Sequence, residues 1–120
     1  MKKENTFYLI FISTIFILRT WVFFFPFRKI WIDGILIHHF YIGLLLLIIT
    51  ILLQKRYKAL KEILLPIAYG FIVDELVYIL TGGVTVTQYW ASVSVYGMII
   101  VSFLVFVRRK NIVNLFIKNN

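Results

Sequence analysis

There is no cysteine in the chain, which excludes disulfide staples, thiol nucleophiles, thiolate metal ligands and membrane thiol–disulfide exchange. Acid is scarce too: five Asp or Glu stand against thirteen Lys or Arg in 120 residues. Two prolines and six glycines leave few helix breakers. There is no Gly-Lys phosphate loop, no Ser nucleophile beside a His and no Glu-x-x-His pair, which removes the commonest nucleotide, serine-hydrolase and helical zinc-protease readings. No internal repeat or low-complexity linker divides the chain, so residues 1–120 read as a single domain.

Apolar side chains are what the chain has instead. Hydrophobic residues make up 62% and aromatic residues 18%, and the mean hydropathy of +0.94 lies outside the range of soluble domains. The composition implies an integral membrane protein with the lipid bilayer as its surroundings. A formal charge of +8 would suggest nucleic acid in a soluble protein, but here the cations lie in short runs between apolar segments, where they set orientation. Nucleic acid is therefore not an expected partner. Met1 to Glu4 resembles the basic start of a signal peptide, but no small-residue cleavage pattern follows, so a retained first helix is expected.

Four apolar segments have about the 20 residues that a spanning helix needs: 6–25, 34–53, 62–80 and 91–107. Short connections make neighbours antiparallel, and the fold class expected is an all-α membrane protein, a four-helix antiparallel transmembrane bundle. Gly82-Gly83 should end the third helix, and the alternation Val84-Thr85-Val86-Thr87 suggests a brief extended stretch. Lys2, Lys3, Lys55, Arg56, Lys58, Lys61, Arg108, Arg109, Lys110 and Lys118 fall on one side, against Arg19, Arg28 and Lys29 toward the other. By the positive-inside rule both termini are cytoplasmic in a multi-pass protein of the cell membrane. Trp21, Trp31 and Trp90 flank the two outer loops as interfacial anchors. The tail, with Ile112, Val113, Leu115, Phe116 and Ile117 after a basic triplet, suits a short amphipathic turn on the inner surface.

Within this topology a polar layer stands out. His38 and His39 lie four or five residues into the second segment, and Asp74 and Glu75 five or six residues from the end of the third. At about 1.5 Å per residue both pairs are roughly 6 to 9 Å below the outer boundary. Arg19 and Tyr96 fall near the same level, and Tyr78 lies between Asp74 and Glu75 in helical angle. Ionisable groups at such depth are costly and mark a functional site by default. Helical phase puts His39 on a stripe with Gly43, Thr50 and Gln54, and Asp74 on one with Gly70 and Thr81. Since small residues mark close contacts in membranes, the second and third helices are expected to pack through Gly43 and Gly70, with His39 beside Asp74. Ala91, Ser94, Gly97 and Ser102 give the last helix a small-residue face. Pro66 kinks or starts the third helix.

Two imidazoles and two carboxylates, His38, His39, Asp74 and Glu75, suit one divalent transition metal, zinc or iron, in donor type. With Arg19 charged, and Asp33 at the mouth, the layer is net negative. Adjacent residues on a helix point about 100° apart, so both histidines reach one ion only if the helix start is distorted. A proton relay needs less geometry. A purely structural clamp, His hydrogen-bonded to carboxylate, satisfies the same groups, and Arg19 can snorkel to the headgroups.

Asp33, His38-His39 and Gly43, then Gly70-x-x-x-Asp74-Glu75, Thr81-Gly82 and Tyr89-Trp90, resemble an uncharacterised group of small prokaryotic polytopic membrane proteins over residues 33–97. That resemblance implies a site and no particular reaction. Length and four-helix layout are also similar to the small multidrug resistance transporters, whose essential carboxylate lies in the first helix, where this chain has Arg19 and no acid.

Three function classes follow. The first is a membrane enzyme or metal-binding protein acting on a lipid or lipid-soluble ligand, with His39, Asp74, His38 and Glu75 as ligands or acid–base residues. The second is a proton- or cation-coupled carrier or channel, a homo-oligomer because four short helices enclose little water. The third is a scaffold or accessory subunit in which the layer fixes helix register.

Overall fold

The computed structural model describes residues 2–25, 30–32, 35–82 and 86–118, and side chains within these except at 30–32, 35–37, 86 and 118. The elements are helix α1 (Lys3–Phe24), strands β1 (Ile30–Ile32) and β2 (Ile35–Ile37), helix α2 (His39–Leu52), a 3-10 turn (Lys55–Tyr57), helix α3 (Lys58–Leu80), the single-turn helix α4 (Val86–Tyr89), helix α5 (Ser92–Val113) and a π-turn (Asn114–Lys118). Apart from the paired strands β1 and β2, the elements among the described residues are helical. Among the described residues three helical stretches are long and apolar enough to cross a membrane: Lys3–Phe24, Lys55–Leu80 and Ser92–Ile117.

The second predicted segment is shorter than expected. Helix α2 starts at His39 and has 14 residues, because β1 and β2 pair antiparallel with Ile32 opposite Ile35. Ile-Trp-Ile and Ile-Leu-Ile favour extended backbone, and an Asp-Gly dipeptide between such runs is a strong hairpin signal. Asp33 and Gly34 themselves, like Arg28, Lys29 and Gly83 to Thr85, lie outside the described residues. Val86 and Thr87, expected to be extended, belong to the helical turn α4.

Helix α3 is the centre of the bundle and packs against α1, α2 and α5. Each contact has a glycine at its closest point. A Cβ on Gly43 of α2 would stand 2.7 Å from Phe71 Cβ, and one on Gly97 of α5 would press into the side chain of Val77. A Cβ on Gly70 would meet Thr14 of α1 at 2.7 Å. Gly70 thus seats α1 and not α2, contrary to the sequence expectation. Small residues let helix backbones approach in this way.

On α1 the buried residues Phe7, Phe11, Thr14, Ile15 and Arg19 recur at three- and four-residue steps and form one face. Phe7, Phe11 and Ile15 join Leu65, Val73, Val105, Val113 and Ile117 in the core. The other faces of α1, α2 and α5 expose large apolar side chains such as Phe16, Leu52 and Phe103. Pro66 sits inside α3 and does not start it.

The chain ends differently from the expectation as well. Helix α5 runs to Val113 and the π-turn follows it directly. Val113 and Ile117 are buried, and the Phe116 ring meets Tyr69 edge-on at 6.1 Å. Val113, Phe116 and Ile117 of the tail therefore pack against the bundle, while Leu115 is exposed.

Candidate acid–base site

The site forms where α2 begins. His38 precedes the first turn of α2 with extended backbone, φ −79° and ψ 148°, so the 100° separation of neighbours on a helix does not apply to it. Both imidazoles turn toward α3. His38 Nδ1 lies 2.9 Å from Glu75 Oε2, and His39 Nε2 lies 2.7 Å from Asp74 Oδ2. The other ring nitrogen of His39, Nδ1, approaches Glu75 Oε1 at 2.7 Å. That approach runs off the N–H direction, so Oε1 is buried without an aligned donor and the contact is electrostatic rather than a directed hydrogen bond.

Asp74 and Glu75 are adjacent on α3 and point to different sides, and the His39 ring spans the gap between them. Asp74 is 1% exposed and Glu75 3%. Such burial demands partners, and Asp74 has them on every side. Arg19 Nε donates to Asp74 Oδ1 at 2.6 Å, and Arg19 Nη2 donates to the Asp74 carbonyl at 2.9 Å. Tyr89 donates its hydroxyl to Asp74 Oδ2.

Arg19 is not snorkelling to a headgroup. It is buried, its Nη1 donates to the Tyr89 carbonyl at 2.8 Å, and its guanidinium lies 3.8 Å from the centre of the Tyr89 ring, with Trp90 beyond. Helix α4 is thereby tied to α1 and α3. Burial, and after it the charge of Asp74, raises the Tyr89 phenol above its ordinary pKa, which keeps it a hydrogen-bond donor.

Tyr78 belongs to the layer. Its ring is buried and meets His38 edge-on at 5.5 Å and Tyr89 at 5.3 Å. Tyr96 does not belong, since it is 65% exposed on α5. The tie to Tyr89 was not foreseen from sequence, because Tyr89 falls in the connection between the third and fourth apolar segments and only its aromatic pairing with Trp90 drew notice. Asp33, expected at the mouth of the layer, lies outside the described residues.

Among the described residues no three His, Asp or Glu side chains, His38, His39, Asp74 and Glu75 included, are arranged to hold the expected ion. The geometry gives the reason. Donors gathered around one zinc or iron point their lone pairs at a common centre about 2 Å away. Here nitrogens and oxygens face one another at hydrogen-bond distance, and His39 has a carboxylate oxygen at each ring nitrogen.

What the arrangement offers is acid–base chemistry. With Glu75 accepting from Nδ1, the His38 tautomer carries its lone pair on Nε2, and no other described residue binds that nitrogen. A carboxylate that orients a histidine and leaves the far nitrogen bare is the geometry of a general base. Compared with known proteins, the chain matches no family model, no curated protein and no solved structure, so the site's own geometry carries the functional argument.

Proposed function

We propose that the protein is a multi-pass integral membrane protein, with both termini cytoplasmic, and that it is an acid–base enzyme acting on a lipid or lipid-soluble substrate at the outer leaflet. In this reading α2 completes a four-helix bundle. The observation that carries the enzymatic reading is the His38–Glu75 pair, 2.9 Å apart, with Nε2 of His38 unpartnered among the described residues. His38 takes a proton from the substrate at Nε2, and Glu75 stabilises the imidazolium that forms. His39, Asp74, Arg19 and Tyr89 position Glu75 and do not touch substrate. The outer-half depth of the site, and the apolar side chains around the bundle, support a substrate that arrives through the bilayer.

The test uses vesicles of total polar lipid containing wild-type protein or His38→Gln, followed by lipid mass spectrometry. Conversion of a lipid by wild type, lost in a folded His38→Gln variant, supports the reading. Diethyl pyrocarbonate, which acylates unprotonated imidazole, should modify His38 faster than His39. Vesicle lipids left unchanged by wild type, with both histidines equally reactive, overturn it.

One observation favours a second reading, a scaffold or accessory subunit. Both oxygens of Asp74 are taken, and Arg19 bonds through three nitrogens, as a lock between helices requires. In a scaffold, His38→Gln changes no lipid chemistry and Arg19→Met releases a co-purifying partner. A coupled carrier draws less support, since the core below the layer is mainly Phe7, Phe11, Ile15, Leu65 and Val73, and the buried Thr14 and Thr50 hydroxyls bond back to their own helices.

A further inference from the structure

A groove runs between α1 and α5 on the flank of the bundle away from the histidines. Its volume is about 440 Å³, within the range of small-molecule sites. Arg19 stands at one end, and Tyr8 and Phe106 at the other. Eleven residues of α1 separate Tyr8 from Arg19, roughly 16 Å along the axis. Between them the walls are apolar, with Ile12 on α1 and Ile99 and Phe103 on α5.

The Tyr8 end has a fixed cation. Arg109 lies 4.1 Å from the centre of the Phe106 ring, donates from Nη1 to the Phe106 carbonyl at 2.8 Å and from Nε to Asn5 Oδ1 at 3.1 Å. These bonds hold the guanidinium beside the groove mouth and leave Nη2 with no partner among the described residues. Tyr8 donates to the Ser102 carbonyl at 3.1 Å, which ties α1 to α5 along the groove. Arg108 and Lys110 flank Arg109 and are exposed. This is the end of the bundle where the N-termini of α1 and α3 and the C-terminal part of α5 gather, as the Lys3–Glu62 ion pair and the Arg109–Asn5 bond show.

We propose that this groove binds one anionic glycerophospholipid, an acyl chain lying along Ile12, Ile99 and Phe103 and the phosphate on Arg109. The inference rests on the chain being embedded in a bilayer and not on the acid–base chemistry. An apolar trough of chain-like length, closed at one end by an oriented guanidinium, complements a molecule that is apolar along its length and anionic at its head. Guanidinium is the side chain best suited to a phosphate, through paired N–H donors.

The experiment measures lipid retained by purified full-length protein in detergent, by native mass spectrometry, after addition of phosphatidylglycerol or phosphatidylcholine with matched acyl chains. Wild type should retain phosphatidylglycerol about fivefold better, the effect expected of one basic residue at a lipid headgroup. Arg109→Gln should abolish that preference without changing the melting temperature. Ile99 is half exposed, so Ile99→Trp is accommodated by the fold, fills the groove and should lower retention of both lipids. Any of these outcomes overturns the proposal: equal retention of the two lipids by wild type, a preference that survives Arg109→Gln, retention unaffected by Ile99→Trp, or a protein dimer that occupies the groove regardless of lipid. Inorganic phosphate is added in a further arm. If it alone displaces the lipid, the site recognises a phosphate and not a phospholipid, and the acyl groove is refuted.

Discussion

Glu75 joins two histidines that are neighbours in sequence: His38 Nδ1 meets its Oε2 at 2.9 Å and His39 Nδ1 approaches its Oε1 at 2.7 Å. The two imidazoles are not equivalent. His39 has a carboxylate oxygen at each ring nitrogen, whereas His38 has one anchored nitrogen and one with no partner among the described residues, and in the proposed function it is this nitrogen that exchanges a proton with substrate.

Glu75→Gln tests that inequality. An amide placed at Oε2 can still accept from His38, but it no longer stabilises an imidazolium, so the base weakens while the fold persists. Conversion of substrate should fall by about 10²- to 10⁴-fold, the usual contribution of general acid–base catalysis. His38→Gln should fall at least as far, and the double variant no further, because both act on one step. Multiplicative losses in the double variant would separate the two residues.

Arg19 and Asp74 make the central ion pair, at 2.6 Å and nearly free of solvent. Breaking a buried pair by removing one partner leaves the other charge without compensation, at a cost of about 3 to 5 kcal/mol. Arg19→Met should therefore destabilise strongly, and Arg19→Met with Asp74→Asn should lose distinctly less than the two single losses added together. Thermal unfolding in detergent reads both. His39→Ala with Asp74→Asn should show coupling of the same sign, and additivity within about 0.5 kcal/mol would make the close contact of His39 energetically idle.

Orientation follows from the basic end. Thr87 in α4 and Lys58 at the start of α3 are exposed, and the chain has no native cysteine. Thr87→Cys should react with a membrane-impermeant thiol reagent in intact cells, and Lys58→Cys only after permeabilisation. The reverse pattern would place the acid–base site at the inner leaflet.

Hydrophobic length and loop charge made the helices legible, because spanning segments obey a strong length rule. Depth and helical phase then brought His39 to Asp74, since both are read directly from residue number along a regular helix. What misled was the end of an element. The hairpin displaced the start of α2 by five residues relative to 34, and His38 consequently left the helix and its periodicity. The Asp-Gly dipeptide was the available signal, overridden by the apolar run around it. Gly70 was assigned to the wrong neighbour because a central helix has close contacts on several faces, and periodicity names a face without naming what lies opposite.

The glycines turn that ambiguity into a measurement. Gly43 and Gly97 abut α3, and Gly70 abuts α1, each with no room for a methyl group, so alanine at any of the three forces a helix outward. The expected cost is about 1 to 3 kcal/mol each through overpacking, seen as a lower unfolding temperature in detergent. Gly82 provides the contrast. A Cβ there has no described atom within 4 Å but the backbone has φ +74°, so the cost expected of Gly82→Ala is backbone strain, on the order of 1 kcal/mol. The four variants also differ in what they disturb. Gly43→Ala moves α2 away from α3, and with it His38 and His39 from Glu75, so it should slow substrate conversion more than Gly70→Ala at equal loss of stability. If Gly43→Ala and Gly70→Ala lower conversion only in proportion to their loss of stability, the spacing of α2 and α3 does not set the geometry of the site.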